Sequence, residues 1–249
     1  MEGILLTLYL KHKLSLLLMA IVSVTFINLA INVRASTTDA PTVTLNEPLQ
    51  TDPNTRNYLP TGTEALYTKI PNQKDAKISV KATDLKSVAT TADQGQTYFR
   101  GYRVAQTSDG KFYLKVVSFN KAYRGWIYVG SNNPSSDTTS VTNGLASVQT
   151  FKEETPSDTV AKTTFYFTTP KASTLTYTAP DWTQYKVGRN LNATTAYVND
   201  ALKVTQIGTK QNNRDNNATY YYVEDSANPQ VNGWIKSSEV SAVKQTFNY

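Results

Sequence analysis

The tetrapeptide Arg124-Gly125-Trp126-Ile127 returns as Asn232-Gly233-Trp234-Ile235, 108 positions later. Phe112-Tyr113 is answered by Tyr220-Tyr221 at the same offset, and Ala65-Leu66-Tyr67-Thr68 by Leu175-Thr176-Tyr177-Thr178 at an offset of 110. Landmarks kept at near-constant spacing are the mark of a duplicated structural unit. Whatever one copy folds into, the second must fold into as well, so each half is a small module.

Within the halves, the periodicity is that of strands. In Lys111-Phe112-Tyr113-Leu114-Lys115-Val116, one face takes Phe112, Leu114 and Val116 and the other takes Lys111, Tyr113 and Lys115. Ser108-Asp109-Gly110 supplies a hairpin turn between this strand and Tyr98–Val104. Arg124–Val129 forms the next strand, while a helical turn fits around Thr83-Asp84-Leu85. The expected fold is all-β: two tandem SH3-like small β-barrel modules after an N-terminal signal helix. Polar stretches rich in Thr, Ser, Pro and Asn set the expected boundaries. These are a leader over 36–56, module 1 over 57–131, a linker over 132–162, and module 2 with a short tail over 163–249.

Residues 1–35 read as a secretory signal. A polar start with Lys11, His12 and Lys13 precedes an uncharged apolar run, and Val33-Arg34-Ala35 puts small residues at the −3 and −1 positions of a cut after Ala35. The alternative is an uncleaved anchor, since the run is about 20 residues, long enough to span a bilayer. Cleavage is the better reading because Asn28 and Asn32 interrupt the run. It removes Lys11, Lys13, Arg34 and Glu2, so the formal charge of +6 drops by two and the secreted chain stays mildly basic. Such a charge favours proximity to polyanions.

Absences narrow the chemistry. The sequence has no cysteine, and its one histidine, His12, lies in the signal. Thiol and histidine nucleophile systems, disulfides and the usual zinc sites are therefore excluded from the mature chain. No cofactor, metal or catalytic residue is expected, and the chain is read as a non-enzyme. Carboxylates alone could still support a glycosidase or wall hydrolase. Leu59-Pro60-Thr61-Gly62 lacks the spacing and position of a covalent wall-sorting signal.

The segments Thr61–Lys69, Tyr98-Phe99-Arg100-Gly101-Tyr102, Tyr123–Tyr128 and Tyr177–Tyr185 resemble the N-terminal wall-binding region of one group of lactobacillal surface-layer (S-layer) proteins. The Gly-Trp strands are also similar to GW and bacterial SH3 wall-binding repeats. The resemblance implies a secreted protein of the Gram-positive cell wall or S-layer that holds teichoic acid or neutral wall polysaccharide without a covalent bond. It also implies other S-layer proteins as partners. The larger lattice-forming part of that family has no counterpart before Tyr249, so wall binding without an array is the expectation. Neither nucleic acid nor, after signal cleavage, a stable membrane span is expected. A host-matrix adhesin built from the same modules is a further alternative.

Sugar rings need flat apolar faces, and phosphate suits arginine forks. Both types alternate in Arg100, Tyr102 and Arg103, and in Arg124, Trp126 and Tyr128. In the second half the candidates are Trp182, Tyr185, Tyr222 and Trp234. Trp126 and Trp234 could equally be core, and the arginines could be solvated strand faces. Trp182, in the turn-like Ala179-Pro180-Asp181-Trp182, has no counterpart in the first half and is the better exposed platform.

Overall fold

The period-two alternation of the first half becomes three long antiparallel strands, β5 (Phe99–Thr107), β6 (Phe112–Ser118) and β7 (Arg124–Gly130). A computed structural model describes residues 39–90, 94–169, 176–188 and 195–246. The expected signal segment, 1–35, lies outside the described residues. From Pro41 onward the chain forms one unit. Phe112, Leu114 and Val116 face the main core with Val104, Ile127 and Val129. Each such aliphatic side chain, buried, contributes about 1.5–3 kcal/mol. The opposite face is covered too, because Tyr113, Ala105, Ile70 and Trp126 form a second, smaller cluster.

The other strands of the first sheet are β1 (Val43–Pro48), β2 (Asn57–Pro60), β3 (Leu66–Tyr67), β4 (Ile78–Val80) and β8 (Leu145–Ser147). Its order is β4-β3-β7-β6-β5-β2-β8, with β1 alongside β5. Helix α1 (Ala82–Thr90) turns Leu85 and Val88, three apart on one helical face, into the core. The second sheet contains β9 (Phe151–Glu154), β10 (Thr164–Phe167), β11 (Leu202–Lys210), β12 (Thr219–Glu224), β13 (Gly233–Lys236) and β14 (Val240–Ser241). Its order is β13-β12-β11-β10-β14, with β9 alongside β11.

These two orders are the same. The path β7-β6-β5-β2-β8 with β1 on β5 becomes β13-β12-β11-β10-β14 with β9 on β11. Even the approach to the tryptophan strand recurs: Tyr67 of β3 lies opposite Trp126, and Tyr177 makes a two-way backbone bridge to Trp234. The glycine before Trp126 has a direct cause, because a Cβ at 125 would collide with the Tyr67 carbonyl oxygen.

Two stretches expected to be irregular contain strands instead. The leader 36–56 includes β1, and the linker 132–162 includes β8, β9 and the short helix α2 (Asp158–Lys162). Strands β1 and β9 are mostly exposed and polar: β1 turns only Val43 and Leu45 inward and β9 only Phe151, too short an apolar pattern to mark a strand. The loop between β7 and β8 is pinned as well. Buried Thr138 donates to the Thr55 carbonyl (2.8 Å), and Tyr58 Oη donates to the Thr138 carbonyl (3.1 Å).

The halves meet through a polar contact. Tyr98 Oη donates to the Gln211 carbonyl (3.0 Å) and accepts from Asn212 Nδ2 (3.0 Å). The Arg214 guanidinium lies 5.2 Å from the Tyr98 ring centroid, and its Nη2 donates to the Ala89 carbonyl (3.3 Å). Lys210, its side chain 1% exposed, donates to the Gln94 carbonyl (2.9 Å) and pairs with Asp215 at 3.6 Å. Burial pushes the Lys210 ammonium below its ordinary range, while Asp215 works against that shift.

Candidate functional site

Strand register places the first pair of functional residues. Arg100 on β5 lies opposite Val117 on β6, and Val117 lies opposite Arg124 on β7. Directly opposed residues share a face, so the two arginines flank Val117 on one side of the sheet. Two positions beyond Arg100, a β-bulge between Gly101 and Arg103 sets Tyr102 on the same rim. Arg56, immediately before β2, and Tyr185, from the second half, complete a cleft of about 280 Å³ that Pro53, Gly101 and Val117 also line.

The electrostatics of this cleft are one-sided. Arg100 is 8% and Arg56 9% exposed, while Arg124 is open to solvent. Arg100 Nε donates to Asn57 Oδ1 (3.2 Å), and Arg56 Nε donates to Thr51 Oγ1 (3.0 Å). Among the described residues, buried Arg100 Nη2 has no hydrogen-bond partner. Among the described residues, none of the three arginines forms an ion pair. Desolvation lowers the proton affinity of both Arg56 and Arg100, and the Arg56 charge adds to the effect on Arg100. Asp52 offsets part of it from a distance, its own Oδ1 accepting the Asn54 backbone N–H (2.8 Å). A guanidinium stays charged regardless. Burial likewise raises the Tyr102 hydroxyl, against the lowering effect of Arg124.

A second cleft, about 600 Å³, opens beside the first. Gln94, Phe119, Lys121, Tyr177, Asp181, Trp182, Lys186 and Val187 line it. Trp182 is half-buried and has a left-handed backbone (φ 58°), as do Lys121 (65°) and Lys186 (63°). Bulky residues seldom adopt that region. Gly95 makes the seat: a Cβ there would stand 2.5 Å from the Trp182 carbonyl oxygen. The two clefts share a wall, since the Tyr185 ring lies 6.3 Å from Phe119 and the Lys186 ammonium 5.6 Å from the Tyr185 ring.

Of the ten residues singled out from sequence, four (Arg100, Tyr102, Arg124 and Tyr185) come together in the arginine cleft, and Trp182 lines its neighbour. The other five are engaged in packing or pairing. Trp126 is 6% exposed, its ring 5.6 Å from the Lys115 ammonium. Trp234 is 5% exposed between Phe151 (5.2 Å) and Tyr222 (5.6 Å), both edge-on, and it also lines a separate cleft of about 330 Å³ with Phe151, Gln149 and Pro180. Tyr128 packs on Tyr113 at 5.7 Å. Arg103 donates from Nε to Asn46 Oδ1 (2.5 Å) and from Nη2 to the Asn46 carbonyl (2.7 Å), which ties β1 to β5. Sequence reasoning missed Arg56. The available signal was its isolation: it is the only basic residue between Arg34 and Lys69.

The described residues include no group of three or more His, Cys, Asp or Glu side chains able to hold a metal ion. No helix among them is long and apolar enough to cross a membrane. No protein-family model matches the chain, and no curated protein matches it. Among solved structures, the chain is similar to the crystal structure of a Listeria monocytogenes protein described as an autolysin. The identity is 13% and the TM-score 0.32, over 81% of this chain and 66% of that one. The chain thus spans just under two thirds of that protein's length, and a likeness this distant has no functional weight.

Proposed function

We propose that the chain is an exported, non-catalytic protein that holds a cell-wall polymer non-covalently through two tandem SH3-like modules. The observation behind this reading is the arginine–tyrosine cleft, where Tyr185 of the second half closes over Arg100, Tyr102 and Arg124 of the first. Aromatic faces suit sugar or polyol carbons, and forked cations suit their anionic groups. The adjoining Trp182 cleft extends that surface, so a polymer strand can cross both. Its left-handed Trp182, Lys121 and Lys186 fit a functional surface, where backbone strain tends to gather. Secretion by the signal segment, residence in the wall or S-layer and association with other S-layer proteins belong to the same reading.

The test is sedimentation of the chain from Ser36 onward with purified cell walls. Saturable pelleting that weakens as salt rises is expected, because exposed charges are screened over about 10 Å at 0.1 M. Absence of pelleting sinks the proposal. Clearing of a wall substrate by the purified chain would favour a carboxylate-based hydrolase instead. Binding to host matrix that wall fragments fail to displace would favour an adhesin.

A further inference from the structure

We propose that the cleft around Arg100 is a phosphodiester subsite, in which Arg56, Arg100 and Arg124 hold one phosphoryl group and Tyr102 and Tyr185 cover the carbon on its ester arms. The natural source of that diester rests on the wall-binding reading; the subsite itself rests on geometry.

Among the described residues, buried Arg100 has no carboxylate partner, and its Nη2, itself shut off from solvent, has no acceptor. Buried charges are normally paired, and buried donors are normally bonded. The guanidinium charge is therefore left for a bound anion to balance. Two further guanidiniums line the same small space, and among the described residues no acidic side chain does. Asp52, the acidic group whose charge acts on both Arg56 and Arg100, is engaged with its own turn. A planar carboxylate satisfies one fork well, whereas a tetrahedral phosphoryl group offers oxygens to several directions at once. The volume, about 280 Å³, sits at the small end of ligand sites and suits one phosphoryl unit with its attached carbons. Two tyrosine rings in the lining favour a diester over a bare ion, since their faces need carbon to pack against.

The probe is dimethyl phosphate, titrated into the whole chain from Ser36 at constant ionic strength by calorimetry and by phosphorus NMR. Saturable binding is expected, with acetate at least about tenfold weaker. Arg124→Gln changes an exposed side chain, so it should keep the melting temperature and weaken the probe by about tenfold. Arg100→Gln should abolish binding; should that variant fold poorly, Arg124→Gln decides alone. The subsite is overturned by an absence of saturable binding, by equal affinity for acetate, or by an unchanged affinity in Arg124→Gln. A chain that pellets with walls but ignores dimethyl phosphate overturns the subsite and leaves the wall reading intact. A chain that binds dimethyl phosphate but no wall does the reverse.

Discussion

The two halves share a strand order but use it differently. In both, the tryptophan strand is central to packing: Trp126 joins Ile70, Ala105 and Tyr113, and Trp234 is wedged between Phe151 and Tyr222. Their loops diverge. After β3 the first half inserts β4 and α1, which seals its core with Leu85 and Val88. The corresponding region of the second half is the Thr178–Gly188 segment with Trp182 and Tyr185, which reaches across to the first half. The duplicated scaffold thus supplies stability twice but builds the arginine cleft once. A repeat in sequence does not imply a repeat of the site, because strands set the fold while loops set what is presented on it.

The largest expected effect tests the shared part. Trp126→Ala and Trp234→Ala should each lower unfolding free energy by about 3–5 kcal/mol in urea titrations, the usual cost of emptying a large aromatic from a core. A small loss at one position only would break the equivalence of the two strands. Next comes the asymmetry. Tyr185→Ala should weaken wall binding about tenfold, equivalent to about 1.4 kcal/mol, with stability changed by less than about 1 kcal/mol. Undiminished pelleting would show that the Tyr185 ring adds nothing to wall binding.

Tyr98→Phe sharpens the comparison at the join. It removes the donor to Gln211 and the acceptor for Asn212, and should cost about 1–2 kcal/mol. The unfolding transition should also broaden as the halves uncouple, as scanning calorimetry would record. The smallest effect belongs to the second half alone. Desolvation, then the hydrogen bond and charge of Asp225, raise the Asp200 carboxyl above its ordinary range. Such a carboxyl binds its proton more tightly folded than unfolded. Its contribution is full below the ordinary carboxylate pKa, about 4, and is lost as pH rises through the raised value. Asp200→Asn should therefore add a few tenths of a kcal/mol at pH 7 and flatten the pH dependence of melting just above the carboxylate range. An unchanged pH profile would remove Asp200 as the source.

Much of the strand content was legible because buried strands announce themselves by alternation. Phe112, Leu114 and Val116 face the core as their spacing requires. Edge strands do so weakly: β1 alternates only at Val43 and Leu45 and β9 turns mostly polar side chains to solvent, so the leader and linker concealed them. Among candidate site residues, type alone could not separate Arg100 from Arg103. One lines the cleft, and the other ties down the Asn46 backbone.

The sequence by itself determined the all-β character, the duplicated Gly-Trp-Ile strands and the lack of histidine and cysteine chemistry in the described chain. These depend on residue type and short-range periodicity. Only the tertiary structure decided that Arg56, from a supposed leader, and Tyr185, from the other half, meet Arg100 and Arg124 in one cleft. Cross-strand register and the Tyr98 contact between halves bring together positions more than a hundred residues apart in the Arg56–Tyr185 pair. No local pattern encodes such a juxtaposition, because it is the sum of every strand pairing between them.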